Sequence, residues 1–128
     1  MKIVRLIPHF SAVISIFHLL LSIFLYRRGE CILNEGIAFG IPIDYIMIIS
    51  TVLILSLFVL SRKMKVPLNY FFSGLSILGL GNLLGRFVFS GVCDYVALFF
   101  VSVNIVDIGI VLLCSISIFY TVFYASKR

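Results

Sequence analysis

The stretch LNYFFSGLSILGLGNLLGRFVF, residues 68–89, is a largely apolar run whose only formal charge, Arg86, lies near its end. It is close to the ~20 residues that an α-helix needs to cross the ~30 Å hydrocarbon core of a bilayer. Three further runs of this kind flank it, at about 7–26, 43–60 and 104–124. Because backbone groups in lipid must be hydrogen-bonded within their own segment, each run predicts a membrane-spanning helix.

The overall composition agrees with a chain that faces lipid. The 128 residues are 62% hydrophobic and 12% charged, and the mean hydropathy is +1.25, whereas a soluble domain is about half apolar and a quarter charged. A domain of this length could not hide so much apolar surface from water. We therefore predict an all-α membrane protein, a four transmembrane helix bundle that forms a single integral-membrane domain over residues 1–128. Its outer loops are short, with room for a small extracytoplasmic β element.

The net charge of +5 is distributed as a topology signal. The basic residues lie at the ends of apolar runs instead of on one water-facing surface, which argues against nucleic acid as a partner. With both termini in the cytoplasm, the positive-inside rule is satisfied. The inner side then holds Lys2, Arg5, Arg62, Lys63, Lys65, Lys127 and Arg128, and the outer side holds Arg27, Arg28 and Arg86. All acidic residues lie towards the outer side, so chemistry that uses carboxylates is expected at that face.

The three cysteines are Cys31, Cys93 and Cys114. They are too few and too scattered for a disulfide framework or a metal site. We interpret them as small apolar filler. A bridge between Cys31 and Cys93 stays open, because both belong to the outer side.

Polar residues interrupt the apolar pattern near the outer ends of the third and fourth runs. Asn82 and Arg86 are four residues apart, so they share one face of the third helix. Asn104 is a natural N-cap of the fourth helix with Asp107 in its first turn, and capping alone would explain that pair. Asp94, however, precedes an apolar loop that can fold back and bring its carboxyl to that of Asp107. An acid at membrane depth is a candidate for a functional site.

Two neighbouring carboxyls in a partly desolvated site cannot easily both ionise, so the pair shares one proton. The charged member of such a pair can activate water, and the neutral member can protonate the leaving amide. This is the chemistry of an aspartic protease. It predicts Asp94 and Asp107 as catalytic residues.

Four short blocks occur along the chain in the order found in a known family. They are Asn34-x-Gly36-x-Ala38-Phe39, Gly81-Asn82-x-x-x-Arg86, Gly91-Val92-x-Asp94 and Asn104-x-x-Asp107. Together with the layout of four spans, these blocks resemble signal peptidase II, the prolipoprotein signal peptidase. The resemblance extends from Asn34 to about Ile110.

This resemblance implies an aspartyl endopeptidase of the bacterial cytoplasmic membrane with its active site at the outer face. Such an enzyme cleaves the signal peptide of a lipid-modified prolipoprotein just before the diacylglyceryl cysteine, and uses no metal or organic cofactor. Its partners are these prolipoproteins and membrane lipids. The catalytic pair would be Asp94 and Asp107. The residues that hold the substrate backbone and orient the pair would be Asn34, Asn82, Arg86 and Asn104.

The chain departs from the family at two places. Gly85 stands where the family usually has an acid, and the first span lacks the family's Asp and Lys. The nearest polar side chain in that span is His18, which we interpret as a packed or hydrogen-bonded histidine.

Two alternative functions stay open. A small four-helix multidrug-type transporter has a similar size and hydropathy, but that class relies on an acid in the first helix, and residues 7–26 have none. A non-catalytic pseudoenzyme that binds lipoprotein precursors would retain Asn34 and Arg86 but would not need both acids.

Overall fold

The computed structural model describes residues 3–36 and 45–124. Within them lie four long helices, α1 (Ile7–Arg28), α2 (Ile46–Lys63), α3 (Leu68–Phe89) and α4 (Ile105–Phe123), and a short 3₁₀ helix, Ile3–Leu6, precedes α1. Each long helix has the length and apolar character needed to cross a membrane. The four predicted helices are therefore confirmed, with α3 at residues 68–89 and the other ends shifted by a few residues. Three parts of the prediction lie outside the described residues: the location of the two chain termini, residues 43–44 of the second run, and Ala38-Phe39 of the first block.

Local sequence explains where the helices end. Gly29 follows α1 with φ 71°, and its N–H donates to the carbonyls of Leu25 and Tyr26. Glycine suits this left-handed position because it has no Cβ to clash with the backbone. Both α1 and α2 carry a basic pair in the last turn, which interacts favourably with the negative end of the helix dipole.

The central helix of the bundle is α3, which packs against each of the other three helices. Small residues allow its close approach to α1. A Cβ on Gly81 would lie only 2.9 Å from Ser15 Oγ, and one on Gly74 would lie 2.7 Å from Ile7 Cγ2. The absence of a side chain at these positions therefore sets the separation of α1 from α3.

The polar and apolar faces of α1 are reversed relative to a helix of a water-soluble protein. Its inner face is polar and buried, and consists of Ser11, Ser15, His18 and Ser22. Its outer face exposes large apolar side chains, including Phe10, Phe17 and Leu20. Exposing so many apolar side chains to water is unfavourable. The outer surface of α1 is therefore suited to an apolar solvent such as the interior of a bilayer.

Two small antiparallel strand pairs lie near the end of α1, the end of α3 and the start of α4. Strand β1 (Ile32–Asn34) pairs with β2 (Val92–Asp94) so that Asn34 is opposite Val92. Strands β3 (Val96–Leu98) and β4 (Val101–Val103) form a tight hairpin. The predicted small β element is thus present, and it includes the loop that was expected to fold back between the two acids.

A disulfide joins Cys31 to Cys93, with their Cα atoms 5.4 Å apart, and so cross-links the start of β1 to β2. The interpretation of these two cysteines as apolar filler is therefore wrong. Their separation of 62 residues becomes a contact only through the pairing of β1 with β2. Cys114 in α4 is a free thiol.

Candidate active site

The predicted site residues gather around one pocket of about 260 Å³, between the two strand pairs and the adjoining ends of α3 and α4. Its polar lining comprises Asn34, Asn82, Arg86, Ser102, Asp94 and Asp107, and its apolar lining comprises Val92, Val101, Val103, Ile110 and Val111. Asn104 is the remaining predicted residue; it is completely buried and hydrogen-bonded to Asp94. The structure therefore brings together all six predicted side chains from four separate elements of the chain, β1, β2, α3 and α4 with its N-cap.

Asp94 is held by one amide on each carboxylate oxygen. It is the last residue of β2 and only 1% exposed. Asn104 Nδ2 donates to Oδ1 at 2.9 Å, and Asn34 Nδ2 donates to Oδ2 at 3.1 Å. Asn34 reaches this position because β1 pairs with β2. A buried carboxylate needs such partners, since an unpaired one would lose its hydration without compensation.

Asp107 also receives two N–H groups. It lies in the first turn of α4, where Asn82 Nδ2 donates to Oδ1 at 2.7 Å and the backbone N–H of Asn104 donates to Oδ2 at 3.2 Å. The oxygen of the same Asn82 amide, Oδ1, is buried and has no hydrogen-bond partner among the described residues. Asn82 thus orients Asp107.

Asn104 links the two acids and also caps α4. Its Oδ1 accepts from the backbone N–H groups of Val106 at 2.9 Å and Asp107 at 3.1 Å, which completes a reciprocal capping box with Asp107. Among residues 3–36 and 45–124, no side-chain hydrogen bond caps the N-terminus of α1, α2 or α3. Helix capping and the predicted acid pair are therefore not competing explanations, because one residue serves both.

Arg86 binds the chain segment that follows β1. Its Nη2 donates to the carbonyl of Gly36 at 2.6 Å, and Nη1 lies 3.5 Å from the carbonyl of Glu35. The N–H of Gly36 donates in turn to Asn34 Oδ1 at 3.0 Å. Arg86 therefore supports the residue that holds Asp94. Contact of Arg86 or of the three asparagines with a substrate stays a prediction.

The environment of Asp94 favours its protonated form. Burial raises the pKa of this carboxyl, and the nearby charge of Asp107 raises it further. The hydrogen bonds from Asn104 and Asn34 and the charge of Arg86 act in the opposite direction, but the net shift of the pKa is upward. Asp94 thus retains its proton more readily than a free carboxyl does.

Sequence reasoning missed Tyr95, which connects the site to α1. Its hydroxyl lies 3.1 Å from His18 Nδ1 and 3.5 Å from the backbone N of Ile105, at the start of α4. Burial raises the pKa of Tyr95, so the phenol stays protonated at neutral pH. His18 is completely buried, which confirms its interpretation as a packed, hydrogen-bonded histidine. The available signal was the position of Tyr95 immediately after Asp94.

Gly85, the departure from the family pattern, has room for a side chain. A Cβ at this position would meet only the carbonyl oxygen of Gly91, at 3.8 Å. That is an ordinary van der Waals distance, so local packing does not demand a glycine here.

Within residues 3–36 and 45–124, no group of three or more His, Cys, Asp or Glu side chains is placed to hold a metal ion. In comparisons with known proteins, no protein-family model, no curated protein and no solved structure matches the chain.

Proposed function

We propose that this protein is an intramembrane aspartyl endopeptidase resembling signal peptidase II, which cleaves lipid-modified prolipoproteins just before the modified cysteine. One observation carries the proposal: two aspartates from separate elements line one pocket, and a single buried asparagine is hydrogen-bonded to both. A helix cap alone requires Asp107 and Asn104. It gives no reason to bury Asp94 beside them.

In this mechanism the two acids have different roles. Asp94, whose pKa is raised, carries the shared proton. Asp107 takes a proton from a water molecule as the water oxygen attacks the scissile carbonyl, and Asp94 gives its proton to the leaving nitrogen. Transfer of the proton from Asp107 to Asp94 restores the starting state.

The proposed location is the bacterial cytoplasmic membrane, with the site at its outer face and both termini in the cytoplasm. Four apolar helices and the buried polar face of α1 support a membrane-spanning bundle. The basic residues favour this orientation, and the Cys31–Cys93 bridge suits the oxidising outer compartment. A reporter fused after Lys65 should behave as cytoplasmic, and an external signal would contradict the proposed orientation.

The decisive experiment is a cleavage assay with the purified protein and a diacylglyceryl-modified precursor, in which release of the signal peptide is measured. Asp94→Asn and Asp107→Asn keep the size of each side chain, and we expect either change to abolish cleavage. The double variant should lose no more than the single ones, because the two residues act as a unit. Near-full activity of either single variant would rule out the pair.

The matched control is Glu30→Gln, an acid-to-amide change at an exposed carboxylate that is paired with Arg28 at 2.9 Å. It should retain activity. Thermal unfolding in detergent micelles checks that all variants are folded. A wild-type protein that binds the precursor but releases no peptide would favour the non-catalytic alternative.

A further inference from the structure

The tip of the β3–β4 hairpin exposes two adjacent phenylalanines. Leu98 pairs with Val101, so Phe99 and Phe100 form a two-residue loop, and their side chains are 101% and 100% exposed. These are the highest exposures of any large apolar side chain among the described residues. Single exposed apolar residues are common, but two fully exposed aromatic rings side by side expose a substantial apolar area.

The backbone of the tip is also unfavourable for these residues. Phe99 has φ 51°, in the left-handed region. Two-residue hairpin loops usually place Gly, Asn or Asp at such a position, because a bulky side chain there is strained. Neither ring is covered by the described residues, so no packing within that part of the chain offsets the strain or the exposure. A stabilising contact outside the chain would account for both.

The surroundings of the tip point to lipid as that contact. No charged residue occurs between Asp94 and Asp107, so the hairpin is apolar or uncharged along its whole length. The last turns of α3 expose Phe87 and Val88, by 66% and 58%. The apolar outer surface of the helices thus continues to the end of the bundle from which the hairpin extends.

We infer that Phe99 and Phe100 form a lipid anchor, which inserts into the interfacial region of the outer leaflet and holds the hairpin at the membrane surface. The inference rests on the membrane placement of the proposed function and not on its chemistry. The unpaired backbone groups of the loop limit the depth of insertion, because hydrocarbon cannot hydrogen-bond to them. Each strand of three residues reaches about 10 Å, which suits an interfacial position.

The anchor has a consequence for the pocket. Val101 and Val103 of β4 are part of the pocket lining. Anchoring the hairpin would therefore keep one wall of the pocket beside the lipid. A substrate whose acyl chains stay in the bilayer could then present its peptide bond to the acids without leaving the membrane.

The chain contains no tryptophan, so Phe100→Trp introduces a single fluorescent reporter at the tip. The protein is reconstituted into phosphatidylcholine–phosphatidylglycerol vesicles, with or without lipids brominated near the headgroup end of the acyl chains. We expect blue-shifted emission, strong quenching by the brominated lipids and weak quenching by acrylamide in the water. Phe119→Trp, on the exposed outer side of α4, is the lipid-facing reference, and N-acetyltryptophanamide is the water-exposed one.

Two results would overturn the anchor. Emission like that of the free amide, with acrylamide quenching alone, would place the tip in water. Blue-shifted emission without quenching by brominated lipid would place it against protein, such as a second copy of the chain. If Phe100→Trp does not fold, Phe99→Trp provides the same measurement.

A second readout separates the anchor from the proposed chemistry. The double change Phe99→Ser and Phe100→Ser should raise KM for a lipidated precursor in vesicles and leave kcat unchanged, because neither side chain lines the pocket. An unchanged KM would contradict a role of the anchor in substrate access. If the tip lies in lipid but the protein does not cleave the precursor, the anchor is supported and the proposed function is rejected.

Discussion

Asn104 can be tested as a structural cap and as a positioning residue in separate variants. Its side chain accepts two backbone N–H groups at the start of α4 and donates one hydrogen bond to Asp94. Asn104→Ala removes all three contacts. Asn104→Ser keeps an oxygen that can cap the helix, but its side chain is too short to reach Asp94.

The two variants should differ in stability by the value of the cap. Losing a helix cap costs about 0.5–2 kcal/mol, and losing a hydrogen bond to a neutral group costs about 0.5–1.5 kcal/mol. Asn104→Ala should therefore lower the free energy of unfolding by about 1–3.5 kcal/mol, and Asn104→Ser by about 0.5–1.5 kcal/mol. Thermal unfolding in detergent micelles would measure this difference.

Activity should respond differently from stability. Both variants leave Asp94 with a single amide donor, from Asn34, so we expect the rate of precursor cleavage to fall about 10- to 100-fold in each. Asn104→Asp retains the cap and the size of the side chain but turns a carboxylate oxygen towards Asp94, and it should be the least active. An Asn104→Ser variant that cleaves within about twofold of the wild type would refute the positioning role and leave only the cap.

Three further predictions concern the surroundings of the acids and the packing of α3. Asn34→Ala removes a hydrogen bond that lowers the pKa of Asp94, so Asp94 should stay protonated to higher pH. The alkaline limb of the pH–rate profile should then move to higher pH, and a move to lower pH would contradict the role of Asp94 as the acid. Reduction of the disulfide that joins β1 to β2 should lower the free energy of unfolding by ~2–4 kcal/mol and impair cleavage, whereas activity insensitive to dithiothreitol would show that the strands hold without it. Gly81→Ala should destabilise the protein by about 1–3 kcal/mol, because its Cβ would lie 2.9 Å from Ser15 Oγ. Gly85→Ala, the matched control with no neighbour closer than 3.8 Å, should be tolerated, and equal unfolding temperatures for the two variants would disprove the close packing of α1 on α3.

Local pattern and the resemblance to signal peptidase II together predict the six side chains that meet around the pocket, and their role as a functional site stays a prediction. Asn82 and Arg86 are polar residues on one face of an apolar helix, and Asn104 with Asp107 matches a helix N-terminus. What each side chain binds could not be predicted in the same way. Arg86 was expected to hold a substrate, yet its guanidinium donates to the carbonyls of residues 35 and 36, a contact that depends on the path of a loop distant in sequence.

The helices and their order can be predicted from the sequence, because hydropathy is a local property and the length of an apolar run does not depend on its neighbours in space. The contacts between distant segments, in contrast, become visible only in the folded chain. The pairing of β1 with β2 brings Cys31 to Cys93 and Asn34 to Asp94, across separations of 62 and 60 residues. The close contact of α1 with α3, and the hydrogen bond between His18 and Tyr95, likewise arise only in the folded bundle. Such contacts depend on the packing of whole elements. Strands of three residues are too short to show a sequence pattern from which their pairing could be predicted.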